Sequence, residues 1–283
     1  MYIYLNGEFI LQDEAKISPF DHGFLYGLGV FETFRIYNGH PFLLDDHFQR
    51  LERSVEQLNI ILNITKQQLK EIISELLTLN QLKDAYIRFN VSAGAAPVGL
   101  QTDSYTEPTI IIFIKPINSP LARTKKASVL TTRRNTPEGT ERLKSHHYLN
   151  NIIGKRELKS PEYEGIFLTN EGYIAEGIVS NIFWIKDGQV YTPSVATGIL
   201  NGITRKFIIK VLEKYNIRCH EGFYPLTALI EADEVFITNS IQEIVSISSV
   251  DECLYRQENN YTNYLQSKYQ NYINKQLSSM KEI

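Results

Sequence analysis

The residue with most chemistry to offer is Lys144, in the run Arg142-Leu-Lys-Ser-His-His-Tyr-Leu-Asn-Asn. A primary amine set among imidazole, phenol and amide side chains is a candidate Schiff-base nucleophile. Arg50 falls between Phe48 and Leu51, two apolar stripe positions of an expected helix, near the interior. Glu176 offers a carboxylate next to the apolar run Ser180-Asn-Ile-Phe-Trp. Free amides at Ile203 and Thr204, with the Thr204 hydroxyl, would form an anion site at a helix N-terminus. Each also has an ordinary reading: a solvated lysine, an exposed helix arginine, a glutamate in a turn, a helix start without a ligand.

The elements that must carry these groups follow from pattern. Leu149, Ile152 and Ile153 fall at helical spacing after Lys144, so an amphipathic helix begins there. Residues 2 to 10 predict a hairpin around Asn6-Gly7, a dipeptide suited to a type I′ turn. Gly23, Gly27 and Gly29 punctuate a loop, and Val30 to Tyr37 then predicts a strand that turns at Asn38-Gly39. Asp45 and Asp46 open a helix, with Phe48, Leu51, Val55 and Leu58 as its stripe. Lys66 to Leu79 predicts a second helix. Ala85 to Ser92 alternates: Ile87, Phe89 and Val91 face one way, and Tyr86, Arg88 and Asn90 the other. Ile110 to Ile114 is a continuous apolar run, hence a buried strand. Lys115 to Thr124, with Pro116 and Pro120, has the composition of a linker. Strands follow at Ala127 to Thr132, Glu164 to Leu168, Ser180 to Trp184, at Gln189 to Tyr191 and from Glu234. Asn201 is the expected N-cap of a helix with Phe207, Ile208, Val211 and Leu212 as its stripe. Tyr261 to Tyr272 predicts a last, packing helix.

Composition narrows the function classes. The chain of 283 residues is 43% hydrophobic and 22% charged, as expected of a globular protein of two modest domains or one large one. A net charge of −3 gives no footprint for nucleic acid or an anionic membrane. No signal peptide and no membrane span are expected. Cys219 and Cys253 are the only cysteines, too few for a disulfide framework or a metal-ligand spacing, so a cytoplasmic location and no metal are expected.

Lys144, Ser145, His147 and Tyr148 resemble the lysine motif of the fold type IV pyridoxal-phosphate enzymes. That family includes the branched-chain and D-amino acid aminotransferases and aminodeoxychorismate lyase. Asp46-His-Phe-Gln-Arg, Ala175-Glu-Gly-Ile-Val-Ser-Asn, Gly198-Ile-Leu-Asn-Gly-Ile-Thr and Thr238-Asn-Ser match its further segments in order. The resemblance implies an α+β, two-domain fold like that of the D-amino acid aminotransferases. It would have a small N-terminal α/β domain (1–116), a linker (117–124) and a larger, β-barrel-like cofactor domain with helices (125–283). It also implies pyridoxal 5′-phosphate as cofactor and a homodimer. Lys144 would bind the cofactor and catalyse. Arg50, Ile203, Thr204 and Ser240 would hold the phosphate, Tyr148 the phenolic oxygen and Glu176 the pyridine nitrogen.

Within the family, D-amino acid aminotransferases trap a substrate carboxylate with an arginine and a histidine where this chain has Val98 and Leu100. Branched-chain enzymes share Tyr86-Ile-Arg but follow it with proline, where this chain has Phe89. Tyr86-Ile-Arg-Phe-Asn-Val-Ser-Ala-Gly, Gly99-Leu-Gln-Thr and the Lys144 run resemble the Gram-positive type of aminodeoxychorismate lyase. That resemblance implies elimination of pyruvate from 4-amino-4-deoxychorismate to give 4-aminobenzoate for folate synthesis. An aminotransferase activity of the same fold is the alternative. The substrate carries two carboxylates. The expected substrate-side residues are Phe31, Arg88 and Arg35.

Overall fold

Turn dipeptides and strict alternation build the first sheet. The computed structural model describes residues 1–117, 122–160, 162–255, 258 and 260–283. β1 (Tyr2–Leu5) and β2 (Glu8–Leu11) pair across Asn6-Gly7, both with positive φ (47° and 105°), as the hairpin chemistry demands. The expected loop after it holds a short helix instead, α1 (His22–Tyr26). Its N-cap Asp21 accepts from the Gly23 amide, and Gly27 closes it in the left-handed region. β3 (Gly29–Tyr37) turns through Asn38-Gly39 into β4 (His40–Pro41). α2 (Leu44–Gln57) and α3 (Lys66–Leu79) follow, then β5 (Ala85–Ser92) and β6 (Thr109–Pro116).

These strands form an antiparallel six-stranded sheet in the order β2-β1-β6-β5-β3-β4. One face packs on the helices. Phe34, Ile36, Ile87, Phe89 and Val91 from the sheet meet Leu44, Phe48, Leu51, Leu69, Ile73 and Leu76 from α2 and α3. The opposite face carries Phe31, Thr33 and Arg35 beside Asn90, Arg88 and Tyr86, because those residues are direct cross-strand partners. β6 is not buried on both sides as its apolar run suggested. Ile110, Ile112 and Ile114 are buried, while Phe113 is exposed. An apolar run does not distinguish a two-sided strand from one with a half-open face.

α2 has an unusual start. Leu43 at its N-cap is left-handed (φ 55°) and offers no side-chain cap. Backbone from far along the chain substitutes: Leu43 N–H donates to Leu277 O, and Asp45 N–H to Ser278 O. Asp46 returns the contact by accepting from Met280 N–H. These backbone bonds satisfy part of what an uncapped helix leaves open.

The second group of elements is β7 (Thr124–Val129), α4 (Leu149–Arg156), β8 (Tyr163–Leu168), β9 (Ile174–Gly177), β10 (Asn181–Lys186), β11 (Gln189–Pro193), α5 (Ile203–Lys214), β12 (Cys219–Gly222), α6 (Thr227–Ile230), β13 (Glu234–Asn239), β14 (Glu243–Val250), β15 (Cys253–Leu254) and α7 (Asn260–Asn274). Its nine-stranded sheet runs β12-β11-β10-β13-β14-β7-β8-β9, with β15 paired to β14 off that path. β9, last in that order, returns against β10 and β11, so the sheet curls into a barrel-like form. One face buries Ile182, Trp184, Val235, Ile237, Val245 and Ile247. The fold is α+β, as expected.

The chain forms two compact units. One comprises Met1–Ser119, Leu143–His147 and Gln276–Glu282; the other comprises Pro120–Arg142, Tyr148–Lys275 and Ile283. The expected division at 1–116 and 125–283 therefore needs correction, because backbone bonds tie two later segments to the first unit. Phe31 N–H donates to Lys144 O and His146 N–H to Gly29 O, while the 276–282 segment caps α2. Of the expected linker 117–124, residues 118–121 lie outside the described residues, and Thr124 already belongs to β7. Two smaller corrections concern helices. The N-cap of α5 is Gly202, not Asn201. The apolar residues of α4, Leu149, Ile152 and Ile153, are exposed, while Asn151 and Gly154 are buried.

Candidate active site

Lys144 does not sit at the mouth of a helix. It lies on an extended segment beside β3, bridged through Val30 and Ser145, and α4 begins only at Leu149. Its Nζ stands 4.5 Å from the centre of the Phe31 ring, and the Arg88 guanidinium carbon stands 3.6 Å from the same centre. The strand register makes this grouping, since Phe31 faces Asn90 and Thr33 faces Arg88. Phe31, Arg88 and Lys144 are thus brought together. Arg35 shares that sheet face but is buried over the Tyr37 ring, 4.5 Å from its centre.

A chain of polar contacts borders the group. Asn90 Oδ1 accepts from Arg88 Nη2 (3.2 Å) and stands 3.0 Å from His146 Nε2. Arginine only donates, so the amide oxygen is fixed there and His146 carries its proton on Nε2. Burial and then the Arg88 charge push His146 down to about 4; it is neutral at neutral pH. His147 turns the other way, its Nε2 3.4 Å from Tyr26 O.

Arg50 projects from α2 onto Glu32, the lone acid of β3. Its Nε donates to Oε1 at 2.6 Å and its Nη2 to Oε2 at 2.8 Å. His47, one turn earlier, donates from Nδ1 to Oε2 at 2.6 Å. Burial pushes the Glu32 carboxyl up, but Arg50 and His47 outweigh it and hold it at about 2. His47 is itself pushed down, by burial first and also by the charges of Arg50 and Lys144, despite Glu32. The two shifts conflict only superficially: Arg50 already matches the carboxylate, so a neutral imidazole suffices. The guanidinium is therefore clamped along one edge.

The second unit carries the remaining candidates. Glu176 is not in an exposed turn; it is buried in β9. Arg134 Nε donates to its Oε1 at 2.8 Å, and Arg142 Nε stands 3.8 Å from that oxygen. Its Oε2 accepts from Leu200 N–H at 3.0 Å and Asn181 Nδ2 at 3.4 Å. Burial, then the Arg134 charge, bring Arg142 down to about 10, which leaves it cationic at neutral pH. Asn150 on the first turn of α4 accepts from Arg134 Nη1. Tyr148 is the half-buried N-cap of α4, two residues before Asn150. Three residues past the Leu200 amide, Ile203 and Thr204 open α5, whose N-cap Gly202 makes no side-chain cap bond. The Thr204 and Ser240 hydroxyls lie 3.3 Å apart. First-turn amides and two hydroxyls form a donor set for an anion.

The residues not foreseen are Glu32, His47, Asn90, His146, Arg134, Arg142 and Asn181. Glu32 did leave a signal, for it is a single acid at the same parity as Phe34 and Ile36 in an apolar strand. The arginines around Glu176 left none, because chain folding brings them from 34 to 42 residues away.

The first unit thus offers an amine beside an aromatic ring and a cation, and a clamped guanidinium. The second offers a buried carboxylate and an anion cradle. The family model described as Amino-transferase class IV matches residues 29–250. The aminodeoxychorismate lyase of Bacillus subtilis (strain 168) is 48% identical over 278 residues, covering 96% of this chain and 94% of that protein. The branched-chain aminotransferase of Thermoproteus uzoniensis, solved with norvaline, superposes with a TM-score of 0.88 at 29% identity, covering 95% of this chain and 93% of that one. The branched-chain amino acid aminotransferase of Escherichia coli gives 0.85 at 29% identity, covering 95% and 92%. This chain belongs to the class IV aminotransferase family.

Proposed function

We propose that the protein is a pyridoxal-phosphate-dependent lyase that converts 4-amino-4-deoxychorismate to 4-aminobenzoate and pyruvate. The observation that carries this is the near full-length likeness to the Bacillus subtilis lyase. The residues fit the cofactor. In the second unit the first-turn amides of α5 and the paired Thr204 and Ser240 hydroxyls suit a phosphate; in the first, the Arg50 guanidinium clamped by Glu32 suits a phosphate oxygen. A protonated ring nitrogen suits the buried Glu176 carboxylate, and an aldehyde suits the Lys144 amine. Tyr148 is assigned to the phenolic oxygen.

When bound, pyridoxal phosphate supplies a ring that accepts the charge left on carbon when a proton departs. Lys144 anchors the cofactor and, once free, takes the proton from the amine-bearing ring carbon of the substrate. Glu176 keeps a proton at the ring nitrogen, and its neighbours Arg134, Asn181 and Leu200 N–H hold the carboxylate in place. Arg88 binds a substrate carboxylate over the Phe31 ring, with Arg35 farther along the same face. Neutral His146 and Asn90 orient that arginine. Val98 and Leu100, 71% and 91% exposed, provide no carboxylate clamp beside the reacting carbon. This suits a substrate whose amine-bearing carbon has no carboxylate of its own. Loss of enolpyruvate then makes the product ring aromatic.

The protein acts as a homodimer in the cytoplasm. The resemblance and the exposed apolar face of α4 support the dimer, and a monomeric mass at full activity would count against it. No helix among the described residues is long and apolar enough to cross a membrane. The deciding assay supplies aminodeoxychorismate and no 2-oxo acid. Multiple turnovers giving 4-aminobenzoate and pyruvate in equal amounts are expected. Inertness toward that substrate, with build-up of pyridoxamine phosphate from D-alanine or leucine, would establish an aminotransferase instead.

A further inference from the structure

Buried hydroxyls are nearly always hydrogen-bonded, so each exception calls for an explanation. Thr238 on β13 is 2% exposed, and its Oγ1 is buried without a hydrogen-bond partner. Its position gives the explanation. Thr238 is the direct cross-strand partner of Asn181, so the two side chains share a face of the sheet. On that face Asn181 touches Glu176 and Leu200 O. A Cβ added to Gly202, the N-cap of α5, would meet Asn181 Oδ1. The face therefore lies under the first turn of α5. Ser240, two residues on, reaches Thr204 on that turn. The unpartnered hydroxyl thus belongs to the same surface as the Glu176 and Thr204–Ser240 groups.

We propose that Thr238 is a third hydroxyl of the anion cradle and donates to the cofactor phosphate, a role that rests on the pyridoxal-phosphate reading above. An orphaned hydroxyl is a cost to the protein without ligand and a gain once an acceptor arrives. A purely structural hydroxyl behaves in the opposite way, because its loss weakens the ligand-free fold. The two roles therefore move different observables.

The test uses the full chain freed of cofactor, with Thr238→Val, which keeps the volume, and Thr238→Ser, which keeps the hydroxyl. Thr238→Val should melt, without cofactor, at or above the parent temperature. Its affinity for pyridoxal phosphate should fall by about tenfold, the scale of one hydrogen bond to a charged group. Thr238→Ser should recover most of that affinity, and pyridoxal, which lacks the phosphate, should bind parent and valine variant alike. Unchanged pyridoxal-phosphate affinity in Thr238→Val, or a lower melting point without cofactor, would overturn the role. An equal loss for pyridoxal would overturn the phosphate as its partner. A parent chain that does not bind pyridoxal phosphate at all would instead overturn the cofactor reading on which the role rests.

Discussion

Two residues put the candidate chemistry to a direct test. Lys144 is the amine on which the proposed reaction turns. After incubation with pyridoxal phosphate, borohydride should fix the label on the Lys144 peptide of the parent protein. Lys144→Ala should take up no label and lose roughly a thousandfold or more in turnover, the scale of a missing proton-transfer group. Label on another lysine would remove Lys144 from its role. Glu32 tests the clamp behind Arg50. Its carboxyl, lowered from 4.5 to about 2, contributes roughly 3 kcal/mol of stability. The sign follows from the direction: this contribution is complete above about pH 4.5 and is lost as pH falls toward 2. His47 and His146 act in the same sense from a higher starting point. Both are held below the usual 6.5, so their protonation on acidification favours the unfolded chain. Urea-unfolding free energies should therefore fall from pH 7 downward. Glu32→Gln should be roughly 3 kcal/mol less stable than the parent at pH 7, and that gap should narrow by pH 3. A constant gap across the range would show that the Glu32 charge contributes nothing.

At the scale of elements, α3 offers the cleanest case. Thr65 and Gln68 form a capping box, each side chain bonding the other's backbone amide. Thr65→Ala removes one cap and should cost about 1 kcal/mol, visible as a lower melting temperature with turnover unchanged, because α3 carries no candidate site residue. Loss of turnover at full stability would contradict that separation. The bounds of α3 were legible beforehand, since Leu69, Ile72, Ile73, Leu76 and Leu77 keep helical spacing and all are buried. Spacing was less informative for α4. It shows that Leu149, Ile152 and Ile153 share a face, but not whether anything covers it, and all three are exposed. The same limit applies to β6, where composition suggested burial and only alternate residues are buried. Lys144, Arg50 and Glu176 came forward because their neighbours match family motifs. Their supports did not: Glu32 meets Arg50 from 18 residues away and Arg134 meets Glu176 from 42, while Asn181, five residues from Glu176, faces it only through the turn between β9 and β10. Thr238 opens the Thr238-Asn-Ser motif, but its missing partner is visible only once β10 and β13 are paired.

For the molecule as a whole, the most consequential feature is that the chain returns to its first unit. Strand-like contacts of 143–147 place Lys144 on the sheet that also carries Phe31 and Arg88. The 276–282 segment supplies the carbonyls that α2 lacks at its start, and Met280 and Asp46, which bond there, stand 234 residues apart. In terms of synthesis, the unit made first is completed late. While the ribosome is still extending the chain, α2 has no cap, and the His47–Glu32–Arg50 clamp hangs from a helix with a loose end. The nascent first sheet also lacks the Lys144 segment along β3. Removing residues 276–283 should therefore leave even the mature protein with faster amide exchange at Leu43 and Asp45 and a weaker hold on phosphate through Arg50, although Arg50 lies more than 200 residues upstream of the cut. Unchanged exchange at those two amides would show that α2 does not depend on its distant cap.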